Sequence, residues 1–348
     1  MNDLASTFLR QADICRQMHS PVYASLLTHS AEDLAEGGAV ATLVAGWQGH
    51  PVLDNLPLRW MGALHELALA GRAPDLARQF PSTGGRFDPE EAWPAALRIA
   101  KERADEVRPL LADGIQTNEV MRCCALAPGA LRFAAEHGLP LRLLEIGASA
   151  GLNLCMDRYR YQLGERSLGP PEAELLLSTE WRGAAAPTGE LEVAERKGCD
   201  LEPIDVRDPA RRRRLLSFVW PDQSERRARL EQALAIVAPD PPALARRSAG
   251  DWLAEVLVEP RPGLASLLFQ SVMWWYVPEA ERTRIVGLVE SAGGQASAQA
   301  PLGWLRMEPP GTEHCELRLR SWPGGHDRLL ARVHFHGRWV EWLDEERP

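Results

Sequence analysis

Lysine is nearly absent from this sequence. Of its 39 basic residues, only Lys101 and Lys197 are lysines and the rest are arginines. Acidic residues outnumber the basic ones, 48 to 39, so the net charge is −9. A protein that binds nucleic acid over a broad surface needs a positive potential there. The charge balance therefore predicts no nucleic-acid partner.

Long hydrophobic runs are also missing. No stretch approaches the roughly 20 apolar residues that a membrane-spanning helix requires. Residues 1–18 carry early acidic residues and no apolar run typical of a secretory signal peptide. From these two absences we expect no membrane association and a cytoplasmic location.

Cysteine pairs with the spacing Cys-x-x-Cys are absent as well, although the chain contains six cysteines. Without such pairs the cysteines indicate reduced thiols in the cytoplasm rather than a disulfide framework or a zinc site. His334 and His336 lie two residues apart, and so on one face of a predicted strand. No third ligand stands at a suggestive spacing, so we expect no metal.

What is present fits a globular protein with two domains: 348 residues, 45% of them hydrophobic and 25% charged. Residues 1–138 have the period of helices, with apolar residues every three or four positions from Leu4 to Met18. Ser20 and Asp88, each followed by proline, are typical helix starts. A continuous helical spacing from residue 93 to residue 111 predicts one helix of five turns.

Residues 139–348 have a different pattern, in which short apolar runs alternate with helix-like segments. The runs at residues 141–146, 265–272 and 302–307 are typical of buried strands. Two alternating runs at 315–322 and 329–335 flank the turn Pro-Gly-Gly-His and predict a hairpin. We therefore expect an α/β sheet with a hairpin at its edge, preceded by an all-helical domain.

The most informative segment is a glycine-containing turn directly after the first strand. Residues 147–151 read Gly-Ala-Ser-Ala-Gly, and the following residues suit a helix. The dinucleotide fingerprint GxGxxG fails here, because Ser149 and Leu152 occupy its second and third glycine positions. The turn also fits GxSxG, the nucleophile elbow of α/β hydrolases, with Asp251 and His326 as acid and base. A serine hydrolase is thus one alternative.

A second interpretation rests on the order Glu145-x-Gly147-x-x-x-Gly151 after the first strand. This pattern resembles motif I of class I S-adenosylmethionine-dependent methyltransferases, with Ser149 where a glycine is commoner. Segments resembling later motifs follow in the same order, at residues 198–203, 250–252 and 271–276. The resemblance covers roughly residues 115–342. It implies a Rossmann-like sheet whose last strand is reversed, as in the final hairpin, with an insertion at about 160–195.

The resemblance implies S-adenosylmethionine as cofactor and names the residues that bind it. They are Thr117, Asn118, Glu145, Gly147, Ala148, Ser149, Gly151, Asp200, Asp251, Trp252 and Ser271.

Particular roles follow from the same resemblance. Glu145 would receive the ammonium of the methionyl part, Asp200 the ribose hydroxyls and Asp251 the adenine amino group. Because of the long insertion, Glu180 is an alternative ribose acid. Thr117 and the neighbouring Asn118 would bond the methionyl carboxylate or cap a helix.

The acceptor is expected to be a small molecule, with Trp274, Trp275 and Tyr276 lining its pocket. His65, His314 and Tyr276 are equivalent candidates for a general base, and we choose none. The chain also carries Gln-Thr-Asn-Glu-Val (116–120) ahead of Gly-Ala-Ser-Ala-Gly-Leu-Asn-Leu (147–154). With these segments the whole chain resembles an uncharacterised bacterial family, domain of unknown function 2332, which implies no activity. Three functions remain: a methyltransferase, a serine hydrolase, or a non-catalytic binding protein with a methyltransferase-like fold.

Overall fold

The computed structural model describes residues 3–344 and divides them into two compact units. One unit contains residues 3–117 and 207–231, and the other contains residues 118–206 and 232–344. The sequence predicted a single boundary at 138/139. The first unit will be called the helical unit and the second the sheet unit.

The α-helices, in chain order, are α1 (Asp3–Gln17), α2 (Pro21–Glu36), α3 (Ala39–Val44), α4 (Leu56–Leu69), α5 (Pro74–Ala77), α6 (Pro89–Glu102), α7 (Ala104–Ala112), α8 (Cys123–His137), α9 (Pro209–Ser217), α10 (Ser224–Val237), α11 (Ala249–Val256) and α12 (Glu279–Gly294). None of these helices is long and apolar enough to cross a membrane.

The strands are β1 (Leu141–Ile146), β2 (Arg160–Leu163), β3 (Arg166–Leu168), β4 (Leu176–Gly183), β5 (Val193–Asp200), β6 (Ala243–Arg246), β7 (Ala265–Ser271), β8 (Leu302–Glu308), β9 (Cys315–Trp322), β10 (His326–Val333) and β11 (Trp339–Trp342). All of them belong to the sheet unit.

The predicted helix starts are confirmed by their capping bonds. The Ser20 hydroxyl accepts a hydrogen bond from the Tyr23 amide at the start of α2, and the Asp88 carboxylate accepts one from the Glu90 amide at the start of α6. The single helix predicted over residues 93–111 is wrong. It is divided into α6 and α7 because Arg103 leaves the helical region, with φ −130° and ψ 29°.

The sheet unit is built on one mixed, mostly parallel sheet with the order β3-β2-β4-β11-β10-β9-β8-β7-β1-β5-β6. The strands β6, β5, β1, β7 and β8 are mutually parallel neighbours. All six residues of β1 are buried, as expected for a central parallel strand. The chain order of these strands changes direction between β1 and β7. This is a topological switch point, where open α/β sheets bind ligands at the carboxyl ends of their strands.

The predicted hairpin forms from β9 and β10, but it does not lie at the edge of the sheet. β9 pairs with β8 on its outer side, and β10 pairs with β11 on its outer side; both pairs are antiparallel. The predicted insertion at 160–195 contributes β2, β3 and β4, which extend the sheet beyond β11. The hairpin therefore lies inside the sheet, because strands from distant parts of the chain extend the sheet on both sides of it.

The α-helix expected after the turn at 147–151 is also absent. Only a short 3-10 helix, Asn153–Arg158, follows, and Cys155 within it departs from helical geometry. The Leu152 amide donates to the Asn118 side chain, and the Leu152 carbonyl accepts from the Tyr159 hydroxyl. Side chains thus bond both backbone groups of Leu152 at the start of this short helix.

Candidate functional site

The turn after β1 has a backbone that alternates through the left-handed region. The φ angles of Gly147, Ser149 and Gly151 are 69°, 51° and 71°. A Cβ atom on Gly147 would lie 3.1 Å from Met273, and one on Gly151 would lie 2.6 Å from Pro242. A side chain would clash with Pro242 at residue 151 and crowd Met273 at residue 147, so glycine is favoured at both positions. The same turn holds Ser149 in a conformation that costs an L-residue about 1–2 kcal/mol.

Asp200, at the end of β5, holds this turn in place. One carboxylate oxygen accepts a hydrogen bond from the Ser149 amide and the other from the Glu202 amide, each at 2.9 Å. The Ala148 amide donates to the Cys199 carbonyl of the same strand at 3.0 Å. The structure thus brings Asp200, a residue that the methyltransferase resemblance names, against the glycine turn.

Two buried polar atoms at the turn have no hydrogen-bond partner among residues 3–344. They are one carboxyl oxygen (Oε2) of Glu145 and the hydroxyl of Ser149. The other oxygen of Glu145 accepts a hydrogen bond from the side-chain amide of Asn153 at 3.5 Å. Burial raises the pKa of Glu145 well above its usual value, against the opposing effects of Asn153 and Arg122, and the charge of Asp200 raises it further. Unsatisfied buried polar atoms are rare, and a ligand or water commonly satisfies them.

Asn118 is buried beside this turn, where its side chain accepts the Leu152 amide at 3.0 Å. It therefore bonds the backbone of Leu152, and Glu119, not Asn118, caps the short helix that follows. Thr117 is the last residue of the first segment of the helical unit, and its side chain is exposed.

The carboxyl end of β7 lies next to the turn, since Met273 packs against Gly147. Val272 there has a φ of 53°, which is rare for a β-branched residue. The Glu308 carboxylate holds the segment by accepting the amides of Met273 and Trp274 at 3.2 and 3.3 Å. It also accepts the side-chain amide of Gln270 at 3.2 Å. Burial raises the pKa of Glu308 despite these bonds.

Arg122 joins β7 to the segment after β10. Its buried guanidinium donates to the Ser271 carbonyl at 2.9 Å and to the Ser271 hydroxyl at 3.3 Å. It donates to the Phe335 carbonyl at 3.1 Å as well. Sequence reasoning missed Arg122 and Phe335, because no local pattern distinguishes one arginine among so many or shows which loop approaches β7.

The three predicted acceptor residues have different surroundings. Trp274 is half-buried and meets Trp304 edge to face, with ring centroids 6.0 Å apart. Trp275 and Tyr276 are 51% and 62% exposed. The Trp275 ring lies nearly parallel to that of Phe335, at an interplanar angle of 16° and a centroid distance of 6.3 Å.

Other predicted site residues have different partners. The exposed Asp251 carboxylate pairs with Arg284 at 2.7 Å, and this contact lowers the pKa of Asp251. Trp252 is buried in the core of the sheet unit. Glu180 is exposed on β4 and pairs with Arg182, and five strands separate β4 from β1 in the sheet order. Of the two ribose acids considered, Asp200 is the one that contacts the turn.

The catalytic triad of a hydrolase is not assembled. The Ser149 hydroxyl bonds no base among the described residues, His326 is exposed at the start of β10, and Asp251 is paired with Arg284. His65 is a core residue of the helical unit, with its two ring nitrogens bonded to the Ser217 carbonyl and the Ser82 hydroxyl.

No metal centre is found in the described part of the chain. No group of three or more histidine, cysteine or acidic side chains there is arranged to hold a metal ion. All six cysteines are buried thiols.

Comparison with known proteins gives one finding. A family model described as "Uncharacterized protein conserved in bacteria (DUF2332)" matches residues 5–342. No curated protein and no solved structure matches the chain. Since the matched region spans nearly the whole sequence, the chain belongs to this bacterial family, domain of unknown function 2332.

Proposed function

We propose that the protein binds S-adenosylmethionine at the turn after β1 and transfers its methyl group to a small-molecule acceptor. One observation carries the proposal. At the switch point of the sheet, the buried Glu145 oxygen and the Ser149 hydroxyl have no partner among residues 3–344. Such atoms, beside a glycine turn that allows close approach of a ligand, favour a binding site over a purely structural turn.

The residues present suit the chemical groups of this cofactor. The unpartnered oxygen of Glu145 can accept a hydrogen bond from the ammonium of the methionyl part. The Ser149 hydroxyl can donate to its carboxylate, and a carboxylate such as that of Asp200 suits ribose hydroxyls because each of its oxygens accepts more than one hydrogen bond. Asp251 is paired with Arg284, so its role at the adenine would require that pair to open.

When bound, the cofactor supplies an electrophilic methyl group. The protein's contribution would be positioning, since holding two reactants in line removes much of the entropic barrier. The turn at 147–151 would hold the donor. The segment 272–276, fixed by Glu308 and adjacent to the turn through Met273, would hold the acceptor.

Calorimetric titration with S-adenosylmethionine and S-adenosylhomocysteine tests the donor site. We expect the wild type to bind both, and Gly147→Arg to weaken binding at least ~10-fold, because the new side chain would occupy the space beside Met273. Gly84→Arg is the matched control. Gly84 has a similar left-handed φ of 80°, in the helical unit, but nothing lies within 4 Å of its Cβ position.

Absence of binding by the wild type would refute the proposal, and so would equal binding by Gly147→Arg. Binding without methyl transfer to any component of a cell extract would instead identify a non-catalytic binding protein. That outcome would retain the donor site and reject the transfer reaction.

A further inference from the structure

Three aromatic rings form a surface next to the proposed donor site. They belong to Trp275, Tyr276 and Phe335, and together they will be called the aromatic platform. Trp275 and Tyr276 are the aromatic residues among the exposed large hydrophobic side chains that the structure describes. Their exposed apolar rings lose contact with water only if something else covers them.

Buried or half-buried charged groups hold the platform from two sides. On one side, Arg122 fixes the Phe335 carbonyl and the end of β7 together. On the other, Glu308 fixes the amides of Met273 and Trp274, which directly precede Trp275. The platform is therefore a constructed surface, with its backbone fixed, rather than a loose surface loop.

The platform lies at the carboxyl ends of the parallel strands, as the glycine turn does. β10 runs antiparallel to β9, which runs antiparallel to β8, so the carboxyl ends of β7, β8 and β10 share one edge. The contact of Met273 with Gly147 connects the platform to the turn. A molecule on the platform would therefore lie beside the donor site.

We propose that the aromatic platform binds the acceptor through a planar aromatic or heteroaromatic ring. This inference rests on the proposed function, since it names the substrate class of the same site. The Trp275 ring stacks on the Phe335 ring and remains 51% exposed, so a planar ring can add to this stack in an offset arrangement. An aliphatic acceptor would gain binding free energy only from the burial of apolar area. A surface that binds by burial alone would not distinguish a flat ring from a puckered one.

The test compares 2-naphthol with its saturated analogue, decahydro-2-naphthol, by saturation-transfer NMR and calorimetry. We expect 2-naphthol to bind at least ~5-fold more tightly, since only the aromatic probe can stack. Trp275→Leu and Phe335→Leu should each weaken 2-naphthol binding about 3- to 10-fold. Phe87→Leu, which also truncates a half-buried phenylalanine but in the helical unit, should leave binding unchanged.

Equal binding of the two probes would overturn the inference, as would unchanged binding by both leucine variants. Trp275→Tyr keeps an aromatic ring and should retain binding within ~3-fold, which separates loss of stacking from loss of folding. Titration of S-adenosylmethionine in the same samples keeps the two proposals apart. Ring-selective binding without cofactor binding would refute the proposed function, and cofactor binding without ring selectivity would refute the platform.

Discussion

At the scale of single residues, Ser149 is the least favourable residue of the turn for stability. Its backbone is left-handed, and its buried hydroxyl has no partner within residues 3–344. Strain and unsatisfied polar groups of this kind concentrate at functional sites, where the rest of the structure maintains them. A ligand at the proposed donor site would give this hydroxyl a partner.

Replacing Ser149 tests this explanation. Ser149→Gly should be more stable than Ser149→Ala by about 1 kcal/mol in urea unfolding, because glycine alone removes the left-handed strain. Both variants should bind S-adenosylmethionine more weakly than the wild type, since both lack the hydroxyl.

Ser178, exposed in β4, provides the control for this comparison. At this strand position the order should be reversed, with glycine less stable than alanine by about 0.5–1 kcal/mol. Equal stability of the two Ser149 variants would contradict the assignment of strain to residue 149.

At the scale of elements, the connection after β7 depends on a carboxylate from the neighbouring strand. The apolar run of β7 is readable from the sequence, but the position of residues 272–276 depends on Glu308 at the end of β8. The Trp304 indole donates to Gln270, whose side chain in turn donates to Glu308. β8 thus orients the segment that follows β7.

Glu308→Gln should loosen this segment. A glutamine keeps one acceptor oxygen and turns an NH₂ group toward one of the two amides, so at least one hydrogen bond is lost. We expect amide hydrogen exchange of at least one of Met273 and Trp274 to be about 10-fold faster, which corresponds to about 1.4 kcal/mol.

Glu290→Gln is the matched control, because Glu290, on α12, pairs with Arg320 of β9 and not with the amides of Met273 and Trp274. It should leave the exchange of both amides unchanged. Unchanged exchange in Glu308→Gln would show that the hydrogen bonds from Met273 and Trp274 do not hold the segment.

At the scale of the whole molecule, the helical unit is discontinuous in sequence, because residues 207–231 belong to it. Within the unit, three side chains bond this returning segment to the N-terminal helices. Ser20 donates to Asp222, Glu66 pairs with Arg213, and His65 contacts the Ser217 carbonyl. Sequence periodicity contains no signal for such a return.

His65 makes the stability of the protein depend on pH. Burial lowers the pKa of His65 from 6.5 to about 3, so the folded protein keeps a neutral imidazole where the unfolded chain takes up a proton. The free energy of unfolding is therefore unaffected by His65 well above pH 6.5, and it decreases as the pH falls from 6.5 toward 3. Between pH 6.5 and 5.0 this effect should lower the free energy of unfolding by about 1.5 kcal/mol.

Urea unfolding at pH 6.5 and 5.0 measures this effect in the wild type and in His65→Gln, whose side chain does not titrate. The loss of stability between the two pH values should be smaller in His65→Gln by about 1.5 kcal/mol. His50→Gln, a change at an exposed histidine, should keep the wild-type difference. A wild-type pH dependence in His65→Gln would show that His65 is not the group responsible.

Much of the local structure is determined by the sequence alone. The helix starts at Ser20 and Asp88, the buried strands β1, β7 and β8 and the β9–β10 hairpin all follow from the order of neighbouring residues. Asp200 and the glycine turn are named together by the methyltransferase resemblance rather than by a local pattern. The spacing of apolar residues, helix capping and turn residues each act over a few positions, so they are visible in a short window of sequence.

Only the tertiary structure decided the rest. The hairpin lies inside the sheet because β4, more than 130 residues earlier in the chain, pairs with β11. Arg122 contacts Ser271 and Phe335 across separations of 149 and 213 residues. The Asn118 side chain accepts the Leu152 amide from 34 residues earlier in the chain. These pairings depend on which distant surfaces bury each other, and no local pattern of residues encodes that choice.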